Sequence, residues 1–380
     1  MSFSTHLPRI MEIGKNARAK LPMILESLGT SKPLIITDKM MVSLGYIKQI
    51  QDLLKAAHID SDYFDGTIPE PTSSSIEAGV KYIQAQQYDA IIAIGGGSPI
   101  DSAKAISILS KHGGDISDYK FPRQVNELGL PIIAIPTTAG TGSECTRFTI
   151  ITNDKTSEKM LCAGLGFLPI AAIIDYELTI SLPPRTTADT GIDALTHAIE
   201  AYVSKKASPY SDAQALAAMK LIGPNLQIVY HQPNNERARE KMMLGSTLAG
   251  IAFSNASVAL VHGMSRPIGA FFHVPHGLSN AMLLPLITEF SIQAAPERYA
   301  DCAKAIGCAH ADDAIEVANQ KLIKTLIAIN QDLKVPTLAE FGVDKPYFDE
   351  VVQTMAEQAL ASGSPSNNPI VPTLEQMVSL

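Results

Sequence analysis

The sequence predicts an α/β domain built on a parallel sheet, followed by an all-helical domain. Three observations lead there. At 380 residues the chain exceeds one ordinary core, so two domains are expected. Up to Leu182, short branched apolar runs alternate with amphipathic stretches, the pattern of strand–helix–strand units. Beyond Leu182-Pro183-Pro184 the strand-like runs stop and helical patterns follow one another. The boundary therefore falls there, giving domains 1–182 and 183–380.

Taken in order, Leu34–Thr37, Ala90–Ile94, Ile132–Ile135 and Ala171–Ile174 read as strands buried on both faces, because they are apolar without polar alternation. Between them lie helical stretches at Met41–Ala57, Ser75–Gln86 and Ile100–Leu109. Gly29 stands where a helix C-cap would, just before Lys32-Pro33 opens the next strand. The second half reads as helices at Thr187–Ser204, Ser211–Leu226, Glu236–Phe253 and Leu283–Ala294, with more to the C-terminus. An α/β half joined to an all-α half leaves a cleft, a common place for a ligand.

Composition narrows the class. Hydrophobic residues make up 46% and charged residues 18%, enough apolar material for a sizeable core. A formal net charge of −8 and the absence of a Lys/Arg run argue against a nucleic-acid partner. Cys145, Cys162, Cys302 and Cys308 form no CxxC pair, as expected of a chain from a reducing compartment. The first residues lack an apolar signal core, and no run approaches the ~20 apolar residues of a membrane helix. A cytoplasmic protein with no membrane partner is the expectation.

The run Ala90–Ile94 leads directly into Gly95-Gly96-Gly97-Ser98-Pro99-Ile100-Asp101. Three glycines let the backbone turn sharply and approach a ligand. Ser98 suits the N-cap, Pro99 the first helical position, and Asp101 the third, completing a capping-box-like start. The free N–H groups and positive dipole end of that helix suit a pyrophosphate. A glycine turn without a ligand is the alternative. A second small-residue loop, Pro136-Thr137-Thr138-Ala139-Gly140-Thr141-Gly142-Ser143-Glu144, follows another strand, and its hydroxyls could reach a phosphate or a nicotinamide. Asp38, just past Leu34–Thr37, could accept hydrogen bonds from an adenosine ribose and repel the extra phosphate of NADP. It precedes the glycines rather than following them by ~20 residues, so the order is not the standard dinucleotide fingerprint. An ordinary surface aspartate is the other reading.

Asp193 and His197 stand at i and i+4 of one apolar helical stretch, which stacks them on one face. Buried ionisable groups of this kind are paired or bound to a metal. His262, His273 and His276 crowd into one segment, where a helix–turn–helix passage could return His262 and His276 to one point. Asp193, His197, His262 and His276 together suit Fe²⁺, Zn²⁺, Co²⁺ or Ni²⁺, with room for a substrate oxygen. Phe253 is the candidate for an apolar wall beside them, or else a core residue. His6, His58, His112, His231 and His310 read as surface or helix-end residues, and Cys302 and Cys308 as packing thiols.

These motifs resemble the iron-containing (group III) alcohol dehydrogenases. The match runs through GGGSPIDSAKA at Gly95–Ala105, PTTAGTGSE at Pro136–Glu144, GIDALTHAIEAYVS at Gly191–Ser204, and the HG…PHG segment from His262 to Gly277. It looks most like the short ethanol and lactaldehyde–propanediol members. The resemblance implies a dehydroquinate synthase-like fold, with an N-terminal α/β domain for NAD, a C-terminal helical domain for the metal, and a homodimer. It also implies a pyrophosphate held by Gly97 and Ser98, NAD contacts at Thr137, Thr138, Thr146, Phe148, Lys159 and Leu178, and selection of NAD by Asp38. The substrate hydroxyl would bind the metal as an alkoxide and pass a hydride to the nicotinamide.

One departure stands out. Many members carry a histidine at the position of Arg266, and arginine cannot shuttle a proton at neutral pH. His273 or an ordered water then becomes the candidate relay, and Arg266 a candidate for holding an anionic substrate group. The rival readings are a glycerol dehydrogenase-like or dehydroquinate synthase-like enzyme on the same frame, or a metal- and nucleotide-binding sensor without catalysis.

Overall fold

A computed structural model describes residues 2–156 and 158–380. The chain divides into two compact units, His6–Ile180 and Ser181–Leu380, the latter joined by the leading residues up to Thr5.

Among the described residues the first unit has eight strands: β1 Ile10–Ile13, β2 Pro33–Ile36, β3 Asp62–Phe64, β4 Ala90–Gly95, β5 Ile132–Pro136, β6 Phe148–Thr152, β7 Lys159–Ala163 and β8 Ala171–Ile174. Six form one sheet in the order β1-β8-β5-β4-β2-β3, and every pairing in it is parallel. Its helices are α1 Leu21–Leu28, α2 Lys39–Ser43, α3 Tyr46–Ala56, α4 Ser73–Gln84 and α5 Gly97–His112. Alternate strand residues feed two cores, one on each face. Leu34, Ile36, Ile91 and Ala93 meet Ile76, Ile83 and Ile106 of α4 and α5. Ile35, Ile92, Ile94 and Ile133 meet Leu21, Ile24, Ile47 and Ile50 of α1 and α3. That two-sided burial is why these strands read as unbroken apolar runs.

The expected strands are all present, and others join them. β1 and β3 are the edge strands, with exposed or half-buried residues, so neither carries a strong apolar signal. β6 and β7 form an antiparallel hairpin whose alternating burial belongs to a half-covered surface. The single helix expected at Met41–Ala57 is two, α2 and α3, broken at Gly45 where φ is +77°. Gly29 caps α1 in the left-handed conformation. The start of α5 differs from expectation. Gly96 is its cap, no side chain bonds there, and Asp101 is turned inward. A glycine cap leaves the first N–H groups of α5 without a competing side-chain oxygen.

Asp101 belongs to a buried network. Its carboxylate accepts hydrogen bonds from Ser143 Oγ and from Ile150 N at 3.0 Å. One turn on, the fully buried Lys104 donates to Ser143 Oγ at 2.8 Å, Thr146 Oγ1 at 3.0 Å and the Phe148 carbonyl at 2.7 Å. Burial pulls this ammonium down to about 8, with Asp101 and Glu144 opposing. The network ties the helix after the glycine loop to the Thr137–Thr146 loop.

The second unit is helical among its described residues: α6 Pro184–Val203, α7 Pro209–Ile222, α8 Leu226–His231, α9 Glu236–Ala256, α10 Leu260–Phe272 and α11 His276–Ile292 come first, with further helices to the C-terminus. The helix expected at Ser211–Leu226 divides at Gly223-Pro224 into α7 and α8, because proline cannot continue the ladder. The helix expected to begin at Leu283 begins instead at His276, directly after Pro275. α6 is buried almost all round, the signature of a helix at the centre of a core. No single helix among the described residues is long and apolar enough to cross a membrane.

Replacing Lys104 with Met removes all three donated bonds and strands buried oxygens. The expected loss of stability is about 2 kcal/mol, since each unpaired buried polar group costs about 1–3 kcal/mol. It would appear as a lower urea midpoint; an unchanged midpoint would show the network to be dispensable.

Candidate functional site

In the second unit, α6, α10 and α11 bring the predicted ligand residues together. Ser257, with φ of +71°, ends α9, and the chain bends by 102° into α10, which carries His262. His273, also left-handed, ends α10, and Pro275 starts α11, so His276 returns beside His262 with ring centroids 5.3 Å apart. Gly277 permits this approach, since a Cβ there would lie 2.5 Å from the Asp189 carbonyl of α6.

Donor atoms of Asp193, His262 and His276 all lie within 4.8 Å of one another. His262 Nε2 is 3.4 Å and His276 Nε2 3.9 Å from Asp193 Oδ1. His197 stands next to this group rather than in it. Its Nδ1 is 3.9 Å from Asp193 Oδ2, and its ring stacks on Phe253 at 4.2 Å and on His262 at 4.4 Å. Phe253, nine-tenths covered, thus forms an apolar cover over His197.

Two residues at this site escaped the sequence reading. Glu200 accepts Val261 N–H and His262 Nδ1, each at 2.6 Å. The Nδ1 bond leaves Nε2 as the His262 atom facing Asp193. Burial pulls the His262 imidazole down, but Glu200 and Asp193 more than reverse this and raise it to about 9. Burial would likewise raise the Asp193 carboxyl, yet His197, His262 and His276 hold it below the ordinary range. The second residue is Asn280. Its Nδ2 lies 2.6 Å from Asp193 Oδ1, 3.1 Å from His262 Nε2 and 3.3 Å from His276 Nε2. One carboxylate oxygen and two ring nitrogens thus surround the position of a single buried amide nitrogen, an arrangement that suits a cation. Helical spacing was the available signal: Glu200 is at i+3 from His197, and Asn280 at i+4 from His276.

The N/O donor set fits a divalent transition ion. Arg266 is half-buried and bonds Ser364 Oγ through Nη1 at 3.1 Å. His273 is exposed at the end of α10.

In the first unit, the carboxyl ends of β2, β4 and β5 share one edge. The strand order reverses between β2 and β4, the kind of crevice where open α/β sheets bind ligands. Asp38 follows β2 and caps α2, accepting Met41 N–H at 2.9 Å. Gly95–Gly97 follow β4, and a Cβ on Gly97 would come within 2.8 Å of Thr141 Cγ2. Ser98 lies in the first turn of α5. Beyond β5, Thr137 Oγ1 and Thr138 Oγ1 are buried with no hydrogen-bond partner among the described residues. Orphaned hydroxyls beside a glycine loop fit a dinucleotide that would bond them. The other expected contacts are differently placed. Thr146 is engaged by Lys104, Lys159 bonds Glu70 at 2.8 Å, Leu178 is packed in the core, and Phe148 is half-buried at the start of β6.

Comparison with known proteins supplies the family. The model described as "Iron-containing alcohol dehydrogenase" matches residues 8–176, and "Fe-containing alcohol dehydrogenase family, C-terminal" matches residues 187–380. The chain is 36% identical to alcohol dehydrogenase 4 of Saccharomyces cerevisiae over 378 residues, covering 99% of this chain and 96% of that one. It is similar to the crystal structure of a 1,3-propanediol oxidoreductase, with a TM-score of 0.95, 35% identity, and 100% and 98% of the two chains covered. It is also similar to a sulfoacetaldehyde reductase from Bifidobacterium kashiwanohense in complex with NAD⁺, with a TM-score of 0.89, 29% identity, and 100% and 97% coverage.

Because Glu200 orients His262 from behind, Glu200→Gln should weaken divalent-metal affinity about 10- to 100-fold, the usual cost of losing such a partner. Competition against a fluorescent chelator measures this. Unaltered affinity would mean that Glu200 serves packing alone.

Proposed function

The chain belongs to the iron-containing alcohol dehydrogenase family, and on that premise we propose that it interconverts small primary alcohols or diols and their aldehydes with NAD and a divalent metal. The observation that carries this reading is the convergence of the buried Asp193 and His262 and the half-buried His276 on one point. The metal supplies Lewis acidity toward the substrate oxygen, and the nicotinamide accepts or returns the hydride.

The chain's own residues have separable tasks. Asp193, His262 and His276 would hold the metal, with His197 beside them as the fourth ligand. Glu200 fixes the orientation of His262 from behind. Phe253 excludes water from the apolar side of the substrate. His273, exposed three residues before His276, or an ordered water exchanges the hydroxyl proton with solvent.

On the nucleotide side, the backbone of Gly95, Gly96, Gly97 and Ser98 holds the pyrophosphate at the start of α5. Asp101 acts indirectly, by anchoring the loop that presents Thr137 and Thr138. Thr146 shares in that anchoring, while Phe148, Lys159 and Leu178 shape the surroundings. Asp38 takes the ribose hydroxyls and repels a 2′-phosphate. The two units act as a homodimer's protomer in this reading, as the family resemblance implies.

Two experiments test it. Protein stripped by chelator and refilled anaerobically with Fe²⁺ or Zn²⁺ should regain NADH formation with ethanol, 1,2-propanediol or glycerol. Failure with both metals despite NAD binding would favour a lyase or a sensor. Asp38→Gly should raise kcat/KM with NADP relative to NAD by about 10-fold or more, removing roughly 1.4 kcal/mol of discrimination. An unchanged ratio would take Asp38 out of cofactor choice.

A further inference from the structure

Arg266 is a cation without an ion-pair partner among the described residues. It follows His262 by four residues, one turn along α10 on the same face. Its side chain is half-buried, and Nη1 bonds Ser364 Oγ at 3.1 Å. A guanidinium carries five donors, and the others have no protein acceptor among the described residues. Burial works against its charge. Glu200 acts on it from a distance, but both Glu200 oxygens are committed, one to Val261 and one to His262.

The position is firmly built. Ser364 begins the short turn Ser364–Asn367. Asn367 Nδ2 bonds Ser257 Oγ and the Val258 carbonyl, both at 3.0 Å, just ahead of α10. The turn and the helix that carry the Ser364–Arg266 pair are therefore tied together. A divalent ion at the donor cluster would offset the two carboxylates, Asp193 and Glu200, and leave Arg266 as the uncompensated charge.

We propose that Arg266, supported by Ser364, selects substrates with an anionic group at the end remote from the reacting carbon. The ligand chemistry is a carboxylate, sulfonate or phosphonate on a short aldehyde or primary alcohol. Four residues of helix rise span about 6 Å, which suits a substrate about two to four carbons long. The inference rests on the dehydrogenase reading above and narrows its substrate. The redox step is the same: the carbonyl carbon gains hydride from NADH, the oxygen gains a proton, and the products are alcohol and NAD⁺.

The metal-loaded enzyme is assayed for kcat/KM with NADH on length-matched pairs. These are pentanal against 4-oxobutanoate, and butanal against sulfoacetaldehyde and phosphonoacetaldehyde. Separately, calorimetry measures binding of butanoate, propanesulfonate and propylphosphonate without turnover. At least one anionic class should be preferred by about 10- to 100-fold, the range for charge-assisted hydrogen bonds. The three arms show which anion it is. Arg266→Gln should cut the anionic-to-neutral ratio about 30-fold and weaken the turnover-free ligand to match, with Arg266→Lys retaining part of both. Equal preference in the parent enzyme, or equal losses for both substrate classes in Arg266→Gln, would overturn the assignment. If nothing is reduced, the dehydrogenase reading fails, and the calorimetric affinities alone decide for or against Arg266.

Discussion

The second unit depends on one buried carboxylate. Asp193 is 2% exposed inside the most enclosed helix of the molecule, where an isolated charge would be ruinous. The chain meets this constraint by bringing acceptable partners from three directions. His197 comes from the same helix, His262 from α10, and His276 and Asn280 from α11. The sharp bend before α10, the left-handed His273 and the tight contact at Gly277 all serve that convergence. Glu200 adds a second buried carboxylate behind His262. Two acids facing imidazoles and an amide are more than a core needs for packing, and they make sense as the walls of a cation site.

The first unit solves a different problem with backbone rather than side chains. At the reversal between β2 and β4, the loop after β4 offers glycine and free N–H groups, and the loop after β5 offers two hydroxyls without partners. Those loops are held by interior bonds: Lys104 donates three, and Asp101 accepts from Ser143 and Ile150. A charged pair is placed under the ligand edge, not in it. Rigidity at that edge lowers the ordering cost of binding a long flexible cofactor.

Much of this was legible in the sequence because burial on both sheet faces leaves unbroken apolar runs. Leu34–Ile36, Ala90–Ile94 and Ile132–Ile135 could hardly be anything but central strands. Edge strands β1 and β3 were not legible, since half-exposed residues lose that signature. At the candidate metal cluster, i, i+4 spacing pointed to Asp193 and His197 and a helix–turn–helix passage to His262 and His276; the structure gathers Asp193, His262 and His276 and leaves His197 beside them. Asn280 and Glu200 were hidden because an amide or a glutamate on a helix is usually a solvated side chain. The role of Asp101 was misjudged for a related reason. Capping statistics favour an outward acid at a helix start, whereas here Ser143 and Ile150 draw it inward, and the glycine cap leaves the ligand side to the backbone.

The most direct measurement is a crystal structure of the Zn²⁺-loaded protein with anomalous data collected on both sides of the zinc edge. One strong peak is expected about 2.0–2.2 Å from an Asp193 oxygen, from the Nε2 atoms of His262 and His276 and from a ring nitrogen of His197. The Asn280 amide would be displaced from the point it now shares with them. A peak elsewhere, or none at that point under saturating zinc, would contradict the account, and the buried cluster would then be a hydrogen-bonded core rather than a metal site.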